Sequence, residues 1–391
     1  MPSYVPLLSV IRGFVWQVVC CASSPSPYLG PSQFGINKKG GSEIIVHSAQ
    51  LMKDYMFSQG NSDHGILTLD CSNAFNSIRR SFIGTGIMAS CPVSLATSIG
   101  HTIDSPVSLN SSLGVHCVDS CSGGRQGDPL GPLLFCLGTS HAFNKTAQDF
   151  VVRAGMSAFL DDITSMGPNA ELIKAFKSIQ RRFATLGLQF NPVKSALFTP
   201  STTFDTGDTR IPVVNDGVQV LGIPIGTERY VQASLDKLLT QQTAILEKLP
   251  IFPVPERVPI LRSSVNARPM YHMRNTPPSQ TEEFSREFDS RVLTSLCSML
   301  NMDPADFPAT SAEVKHLPTH HGGLGITSMS RVRNRAYVAS LIESLRYLKE
   351  KCPWTFDKVS TFRQFPPELR SLLPSPPPAN LASEFHSGLI R

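Results

Sequence analysis

The stretch Ala158-Phe159-Leu160-Asp161-Asp162-Ile163-Thr164, AFLDDIT, places two adjacent carboxylates after an apolar run. Such a pattern predicts a hairpin in a small antiparallel sheet. A second stretch, GILTLDCSNAF, ends an apolar run in the same way at Asp70. If the two strands are neighbours in one sheet, Asp70, Asp161 and Asp162 converge at one edge. Taken alone, AFLDDIT has the alternative interpretation of an ordinary surface turn.

The composition is that of a globular and mildly basic chain. Its 391 residues are enough for two or three subdomains, and 41% of them are hydrophobic. The 35 Lys and Arg exceed the 30 Asp and Glu, giving a net charge of +5. That balance permits an anionic partner without requiring one. No uncharged apolar run reaches about 18 residues, so no membrane-spanning helix and no membrane partner are predicted.

Two features bear on the compartment. The nine cysteines have no zinc-binding spacing, which favours reduced thiols inside a cell. Residues 5–22, VPLLSVIRGFVWQVVCCA, resemble either a secretory signal or a buried helix. Arg12 interrupts this run and no Lys or Arg precedes it, so the helix is favoured. We therefore expect an intracellular protein of the nucleus or cytoplasm that is not secreted.

Hydrophobic spacing predicts the main elements. Helical spacing covers 43–58 and 170–188, and an apolar helix follows the Gly-Gly turn at 123. Ser72 or Asn73 is the predicted cap of a further helix. GVQVLGIPIG, 217–226, predicts a strand pair, and the chain is mostly helical from about 231. This order of β-α-β-β with inserted helices, followed by helices alone, predicts the α+β class.

The three carboxylates suggest a metal site. Like charges so close together ionise cheaply only when cations are bound. Oxygen ligands without Cys or His favour Mg²⁺ or Mn²⁺. Two such ions, about 3.5–4 Å apart, form the clamp used for in-line phosphoryl transfer.

Four motifs together resemble the palm of reverse transcriptases, in the form found in non-LTR retrotransposons of the jockey-like class. They are DCSNAFNS (70–77), GRQGDPLGPLLF (124–135), FLDD (159–162) and GLQFNPVKS (187–195). The resemblance covers about residues 8–345. It also includes PSQFGINKKGGSEIIVH (31–47), LGIPIG (221–226) and LPTHHGGLGI (317–326).

The resemblance implies a right-hand polymerase with a ferredoxin-like palm over 60–230. Residues 1–59 would form truncated fingers, because the basic strand pair that family members place before the first helix is missing. Residues 231–363 would form a helical thumb or connection, and 364–391 a Pro-rich tail. No endonuclease domain or zinc knuckle is expected in the chain.

The resemblance also assigns catalytic roles. Asp70, Asp161 and Asp162 match the ligands of two Mg²⁺ (or Mn²⁺) ions, with Asp161 the stronger ligand of the adjacent pair. Lys194 matches the lysine proposed to protonate the leaving pyrophosphate. A solvated loop lysine is the alternative for Lys194.

Further positions match substrate-binding residues of the family. Phe75 matches the aromatic side chain that excludes a 2′-hydroxyl, with simple core packing as its alternative. Gln126 and Gly127 match the turn that contacts the incoming nucleotide and the template. Arg125, beside them, would bind substrate through a phosphate contact, with simple solvation as its alternative. Leu221 and Gly222 resemble the primer-gripping hairpin. The Arg-rich segment 257–274 would contact duplex phosphates.

The implied function is RNA-directed DNA polymerase, which adds deoxynucleotides to a primer 3′-end. Its partners would be an RNA template, a DNA primer and dNTPs, while the oligomeric state stays open. The alternative is an inactive or domesticated retroelement remnant that at most binds nucleic acid. A third interpretation is a secreted binding protein. It would require residues 5–22 to be a signal peptide, and it would leave all the motifs named above without an explanation.

Overall fold

The computed structural model describes residues 26–58, 60, 62–90, 107–111, 114–118, 122–124, 128–150, 155–303, 305 and 313–351. The predictions for 5–22 and for the tail 364–391 fall outside these residues. The chain divides into two compact units. The first comprises Met1–Ile45 and Ala49–Leu221, and the second comprises Val46–Ser48 and Gly222–Arg391. The predicted domain bounds at 60, 230 and 363 stay predictions.

The strands and helices of the described residues alternate in the first unit, whereas helices dominate the second. The strands are β1 (His64–Leu69), β2 (Val107–Ser111), β3 (Gly114–Val118), β4 (Gly155–Phe159), β5 (Asp162–Pro168), β6 (Ala196–Phe198), β7 (Val213–Val214), β8 (Gly217–Val220) and β9 (Ile223–Gly226). The helices are α1 (Ser26–Leu29), α2 (Gly41–Ser58), α3 (Ala74–Ser77), α4 (Arg80–Ser90), α5 (Gly131–Phe150), α6 (Asn169–Thr185), α7 (Glu228–Leu246), α8 (Val254–Ile260), α9 (Met270–Asn275), α10 (Pro278–Met299) and α11 (Met329–Lys351).

The main sheet of the first unit has the strand order β4-β5-β1-β6-β7. β1 pairs antiparallel with both β5 and β6, and β4 pairs antiparallel with β5. β7 joins β6 in the parallel sense. The connection β1, helices, β4, β5, α6, β6 is that of a ferredoxin-like unit. The predicted α+β class and ferredoxin-like palm are therefore confirmed.

Buried apolar residues explain why β1 is the central strand. Ile66, Leu67 and Leu69 are each almost completely buried. A continuous apolar run of this kind is typical of a strand covered on both faces. α6 packs on β1 and β5, and α5 packs on α6.

Helix α6 confirms the helical spacing predicted for 170–188. Its apolar positions are buried in the core of the first unit, including Leu172, Phe176, Ile179 and Phe183. The chain then turns at Gly187, whose φ of +85° favours glycine. The helix predicted over 43–58 and the strand pair predicted over 217–226 are also present as α2 and as β8 and β9.

The helix predicted to start near Ser72 or Asn73 is present as α3, with Asn73 at its N-cap position. Asn73 lies before α3, with φ 48° and ψ 41°, but its side chain caps no backbone N–H group. Its amide oxygen instead accepts a hydrogen bond from Nδ2 of Asn76 at 2.6 Å. Helix α3 has four residues and ends at Ser77, with Ile78 at its C-cap position.

The apolar helix predicted after the Gly-Gly turn at 123 is present as α5, which begins at Gly131. The preceding residues form a turn in which the Leu130 N–H donates to Oδ1 of Asp128 at 3.0 Å. This local hydrogen bond is the usual Asx alternative to helical pairing. The Gly131 N–H donates to the Asp128 carbonyl at 2.9 Å, which closes the turn at the start of α5.

The second unit is helical, as predicted from about 231. Leu235, Leu261 and Phe288 lie in its hydrophobic core. The Asp289 carboxylate accepts hydrogen bonds from the Ser328 hydroxyl and from the backbone N–H groups of Met329 and Ser330. It thereby ties α10 to the start of α11. No helix of the described chain combines the length and apolarity needed to cross a bilayer.

Helices α4 and α5 approach each other closely at Gly86. A Cβ atom placed there would lie 2.4 Å from the Leu137 carbonyl oxygen, whereas one at Gly84 would meet nothing within 4 Å. The same helix therefore holds one glycine that the packing requires and one that it does not.

We expect Gly86→Ala and Gly84→Ala to change stability in opposite directions. The first forces the helices apart and should lower the free energy of unfolding by about 2 kcal/mol. The second removes backbone freedom from the unfolded chain and should raise it by roughly 0.5–1 kcal/mol. Urea denaturation of the two variants checks this. A loss of stability in both would contradict the packing described.

Candidate active site

The β-sheet brings the predicted carboxylates together. Asp70 follows β1 directly, while Asp161 lies in the two-residue turn between β4 and β5, where Phe159 pairs with Asp162. The ladder between β1 and β5 ends with Leu69 opposite Ile163. The end of β1 and the hairpin turn therefore lie at the same edge of the sheet.

Burial and neighbouring negative charges raise the pKa values of Asp161 and Asp162. The pKa of Asp162 is raised to about 6, first by partial desolvation and then by the charges of Asp161 and Asp70. Lys194 opposes that shift. The pKa of Asp161 is also raised, mainly by desolvation, with Asp70 contributing. Burial and the same three carboxylates raise the pKa of Cys71, which is therefore a neutral buried thiol.

A pocket of about 380 Å³ lies at this edge. Its lining includes Asp70, Phe75, Asp161, Asn191 and Lys194. Three of the four predicted catalytic residues, Asp70, Asp161 and Lys194, thus share one cavity with the predicted sugar-facing ring. Asp161 belongs to the lining, and Asp162 is exposed beside it.

The donor set fits a hard cation, although the site is not in coordination geometry. In the described part of the chain, no three His, Cys, Asp or Glu side chains lie close enough together to hold an ion. The pKa values of Asp161 and Asp162 are nevertheless raised, mainly by burial and to a smaller extent by repulsion from neighbouring carboxylates. A divalent cation relieves such repulsion, and oxygen-only donors suit Mg²⁺ or Mn²⁺.

The loop that carries Lys194 is hydrogen-bonded to the backbone of Asp70. The Asn191 N–H donates to the Asp70 carbonyl at 2.8 Å, and the Asp70 N–H donates to the Ser195 hydroxyl at 3.2 Å. Between these two anchors, Nζ of Lys194 lies 4.0 Å from Oδ2 of Asp70. The lysine side chain is 68% exposed, so it also has access to solvent.

Phe75 packs on one side and faces the pocket on the other. Its ring lies 4.7 Å from the Phe135 ring, centroid to centroid, with an interplanar angle of 36°. Core packing and a position beside the substrate pocket are therefore both true of Phe75. The Gly124 N–H donates to the Phe75 carbonyl at 2.7 Å, which fixes the start of the following turn.

The predicted turn residues Arg125, Gln126 and Gly127 lie outside the described residues, and their assignments stay predictions. Just before them, Gly123 has φ +67°, and a Cβ there would lie 2.4 Å from the Asn76 Cα atom. Glycine is therefore required where this turn starts.

Leu221 and Gly222 form the two-residue turn between β8 and β9, at φ 48° and 83°. Positive φ at both positions is typical of tight hairpins, although leucine is uncommon there. Sequence patterns did not indicate His272, which is hydrogen-bonded to the Gly222 backbone. Desolvation lowers the pKa of His272 to about 4 despite that bond, so the imidazole is neutral at pH 7.

Sequence reasoning also missed Gln33 and Asn191 as site residues. Gln33 is 5% exposed, and its side chain contacts the backbone of Leu160 beside the carboxylates. The available signals were the motifs PSQFGINKKGG and GLQFNPVKS, in which these residues lie. In the Arg-rich segment, Arg257 is engaged within its own loop, because its guanidinium donates to the carbonyls of Phe252 and Pro250.

Comparison with known proteins identifies the family. The family model described as "Reverse transcriptase (RNA-dependent DNA polymerase)" matches residues 19–225, more than half of the chain. The chain belongs to the reverse transcriptase family. The predicted enzyme class, RNA-directed DNA polymerase, is confirmed at the level of that family.

A curated relative is the "Retrotransposable element SLACS 132 kDa protein" of Trypanosoma brucei gambiense. It is 26% identical to this reverse transcriptase over 313 residues, which cover 78% of the chain and 25% of the relative. The chain thus spans a quarter of that relative's length.

Solved telomerase structures are also similar. A telomerase from Candida albicans in complex with a fragment of telomeric RNA matches with a TM-score of 0.49 and 11% identity, over 92% of this chain and 55% of that one. An apo telomerase from Candida tropicalis matches with a TM-score of 0.46 and 9% identity, over 91% and 58%.

The pKa of Asp162 predicts a pH-dependent stability. Between its ordinary pKa near 3.8 and its value of about 6 in the fold, the folded chain keeps a proton that the unfolded chain has released. The carboxyl therefore destabilises the metal-free fold as pH rises through this window. We expect Asp162→Asn to raise the melting temperature at pH 7, with the gain vanishing near pH 4, in scanning calorimetry with a chelator present.

Asp149→Asn is the matched control, because the pKa of Asp149 is shifted in the opposite direction. A hydrogen bond from Arg182 lowers that pKa. This carboxylate stabilises the fold above its ordinary pKa and ceases to do so as pH falls. The Asn variant should therefore melt at a lower temperature at pH 7. A change of melting temperature in the same direction for both variants at pH 7 would contradict the electrostatics described.

Proposed function

We propose that this chain is an active RNA-directed DNA polymerase that adds deoxynucleotides to a primer 3′-end. The observation that carries this proposal is the convergence of Asp70, Asp161 and Lys194 in one pocket with the ring of Phe75. Membership of the reverse transcriptase family supports it. The pocket has a volume of about 380 Å³ and carries both acidic and basic groups.

The carboxylates Asp70, Asp161 and Asp162 would hold two Mg²⁺ (or Mn²⁺) ions. When bound, the ions lower the pKa of the attacking 3′-hydroxyl and neutralise the charge of the leaving pyrophosphate. Asp70 and Asp161 are better placed than Asp162, because they line the pocket itself. Lys194 extends from a loop fixed to Asp70 and would donate a proton from Nζ to the leaving pyrophosphate.

The substrate would contact residues on both sides of the carboxylates. Phe75, braced by Phe135, would exclude the 2′-hydroxyl of a ribonucleotide. Arg125, Gln126 and Gly127 would contact nucleotide and template, and Leu221 with Gly222 would hold the primer end. The Gly124 N–H is hydrogen-bonded to the Phe75 carbonyl. The turn that would contact the template is therefore linked directly to the residue that would contact the sugar.

The similarity to a retrotransposable-element protein supports an origin in a mobile element. Within this proposal the element is of the jockey-like, non-LTR class, and the enzyme acts inside the cell in the nucleus or cytoplasm. Its partners would be an RNA template, a DNA primer and dNTPs. An inactive or domesticated remnant is the outcome to be distinguished by experiment.

Primer extension on an RNA template with dNTPs and Mg²⁺ tests the proposal. We expect extension by the full chain and a loss of at least roughly 1,000-fold in Asp161→Ala, Asp162→Ala, because the metal ligands are removed. Asp149→Asn provides a control that leaves the pocket intact. A folded chain that binds primer–template without extending it would support the remnant instead.

Phe75→Ala tests the role of the ring. Removing it should open space beside the sugar and lower the preference for dNTP over rNTP by roughly 10- to 200-fold, the range for lost steric discrimination in a pocket. Single-turnover incorporation of each nucleotide measures this ratio. Phe82→Ala is the control, because Phe82 packs against the same core and is absent from the pocket lining. An unchanged ratio in Phe75→Ala would leave the ring with a packing role only.

A further inference from the structure

The turn that carries Asp161 has an unusual backbone. Leu160, the residue before it, has a φ of 58°. A bulky L-residue disfavours this region, because its Cβ crowds the carbonyl oxygen. Such strain persists only where the surroundings hold it, and it is frequent at functional sites. The orientation of Asp161 depends on this residue, since a change of φ at Leu160 turns the peptide that follows.

The Gln33 side chain is hydrogen-bonded to both the N–H and the carbonyl group of Leu160. Its Oε1 accepts from the Leu160 N–H at 3.1 Å, and its Nε2 donates to the Leu160 carbonyl at 3.3 Å. The same Oε1 accepts from the Gly35 N–H at 2.9 Å. The amide of Gln33 is therefore fixed by its own segment and bonded twice to the turn.

The backbone around Gln33 is also paired with the hairpin. The Phe34 N–H donates to the Ala158 carbonyl at 2.7 Å, and the Ala158 N–H donates to the Ser32 carbonyl at 2.8 Å. Residues 32–34 thus run beside β4 in the parallel sense. Gly35 lies directly against Leu160, since a Cβ there would come within 2.7 Å of the Leu160 nitrogen.

The Gln33 segment is itself held in place. Nζ of Lys38 donates to the Pro31 carbonyl at 2.5 Å and lies 4.3 Å from the centre of the Phe34 ring. Gly41, at the start of α2, would place a Cβ within 2.1 Å of the Phe34 carbonyl oxygen. The loop from Pro31 to Gly41 is therefore held in place by contacts among its own residues.

We propose that Gln33 is a positioning residue, which holds Leu160 at positive φ and thereby keeps the Asp161 and Asp162 carboxylates oriented for metal binding. Gln33 contacts neither metal nor nucleotide in this proposal. The inference rests on the proposed metal-binding function of the carboxylates. It goes beyond that function by assigning the orientation of the carboxylates to Gln33, which lies 127 positions from Leu160 in the chain.

Mn²⁺ affinity of the full chain, measured by the loss of the free Mn²⁺ electron paramagnetic resonance signal, tests the inference without requiring polymerisation. Gln33→Met keeps the length of the side chain and removes its three hydrogen bonds. We expect it to weaken Mn²⁺ binding about ten-fold, the size of effect that strain of this kind implies. Gln33→Asn is one methylene too short to reach the turn and should weaken Mn²⁺ binding to the same extent. It replaces Gln33→Met in the experiment if the Met variant is unstable.

Leu160→Gly separates positioning from packing. Glycine reaches positive φ without strain, so the turn no longer depends on the amide. The double variant Gln33→Met, Leu160→Gly should therefore recover most of the lost Mn²⁺ affinity. A merely structural role for Gln33 would show no such rescue, because the second substitution only removes more side chain.

Gln242→Met is the matched control, because Gln242 is also 5% exposed but lies in the second unit. It should leave Mn²⁺ affinity unchanged. The inference is overturned if Gln33→Met and Gln33→Asn bind Mn²⁺ like the parent, or if Leu160→Gly fails to restore binding. A parent that binds Mn²⁺ without extending primers overturns the polymerase proposal alone, whereas a parent that binds no Mn²⁺ overturns both.

Discussion

The placement of three carboxylates at one edge of the β-sheet is the constraint on which the pocket of the first unit depends. Asp161 and Asp162 both have raised pKa values, and in each case a neighbouring carboxylate contributes. Without restraint such side chains would turn away from each other into water. They cannot separate far, because Asp70 is fixed at the end of the central strand and Asp161 lies in the tight turn of the neighbouring hairpin. The sheet thus holds together charges that would otherwise move apart.

Backbone hydrogen bonds extend this restraint to the rest of the pocket. The loop with Lys194 is bonded to Asp70 at Asn191 and Ser195, and the turn at Gly124 is bonded to Phe75. Two of these bonds join backbone groups, and the third is accepted by the Ser195 hydroxyl. The acidic, basic and aromatic groups of the pocket therefore lie on backbone segments that are hydrogen-bonded to one another.

Much of this arrangement could be predicted from the sequence, since it follows from local patterns. Apolar runs ending at Asp70 and at Asp161 predicted the convergence, and the spacing of Leu172 and Phe176 predicted α6. The side chain of Asn73 shows the limit of local rules, because its amide binds Asn76 instead of the backbone. The roles of Lys194 and Phe75 came from resemblance to a family. No periodicity could relate Gln33 to Leu160, because their contact depends on how distant segments fold together.

The contacts that shape the pocket join residues far apart in the chain. Gln33 and Leu160 are separated by 127 positions, and Asp70 and Ser195 by 125. Closing loops of this length costs entropy that only the assembled fold offsets. A partly folded chain can form the β4–β5 hairpin but not hold its turn, since the segment that restrains Leu160 arrives from elsewhere. The carboxylate site is therefore a property of the completed unit, and a fragment that lacked residues 31–35 would keep the motif without keeping its geometry.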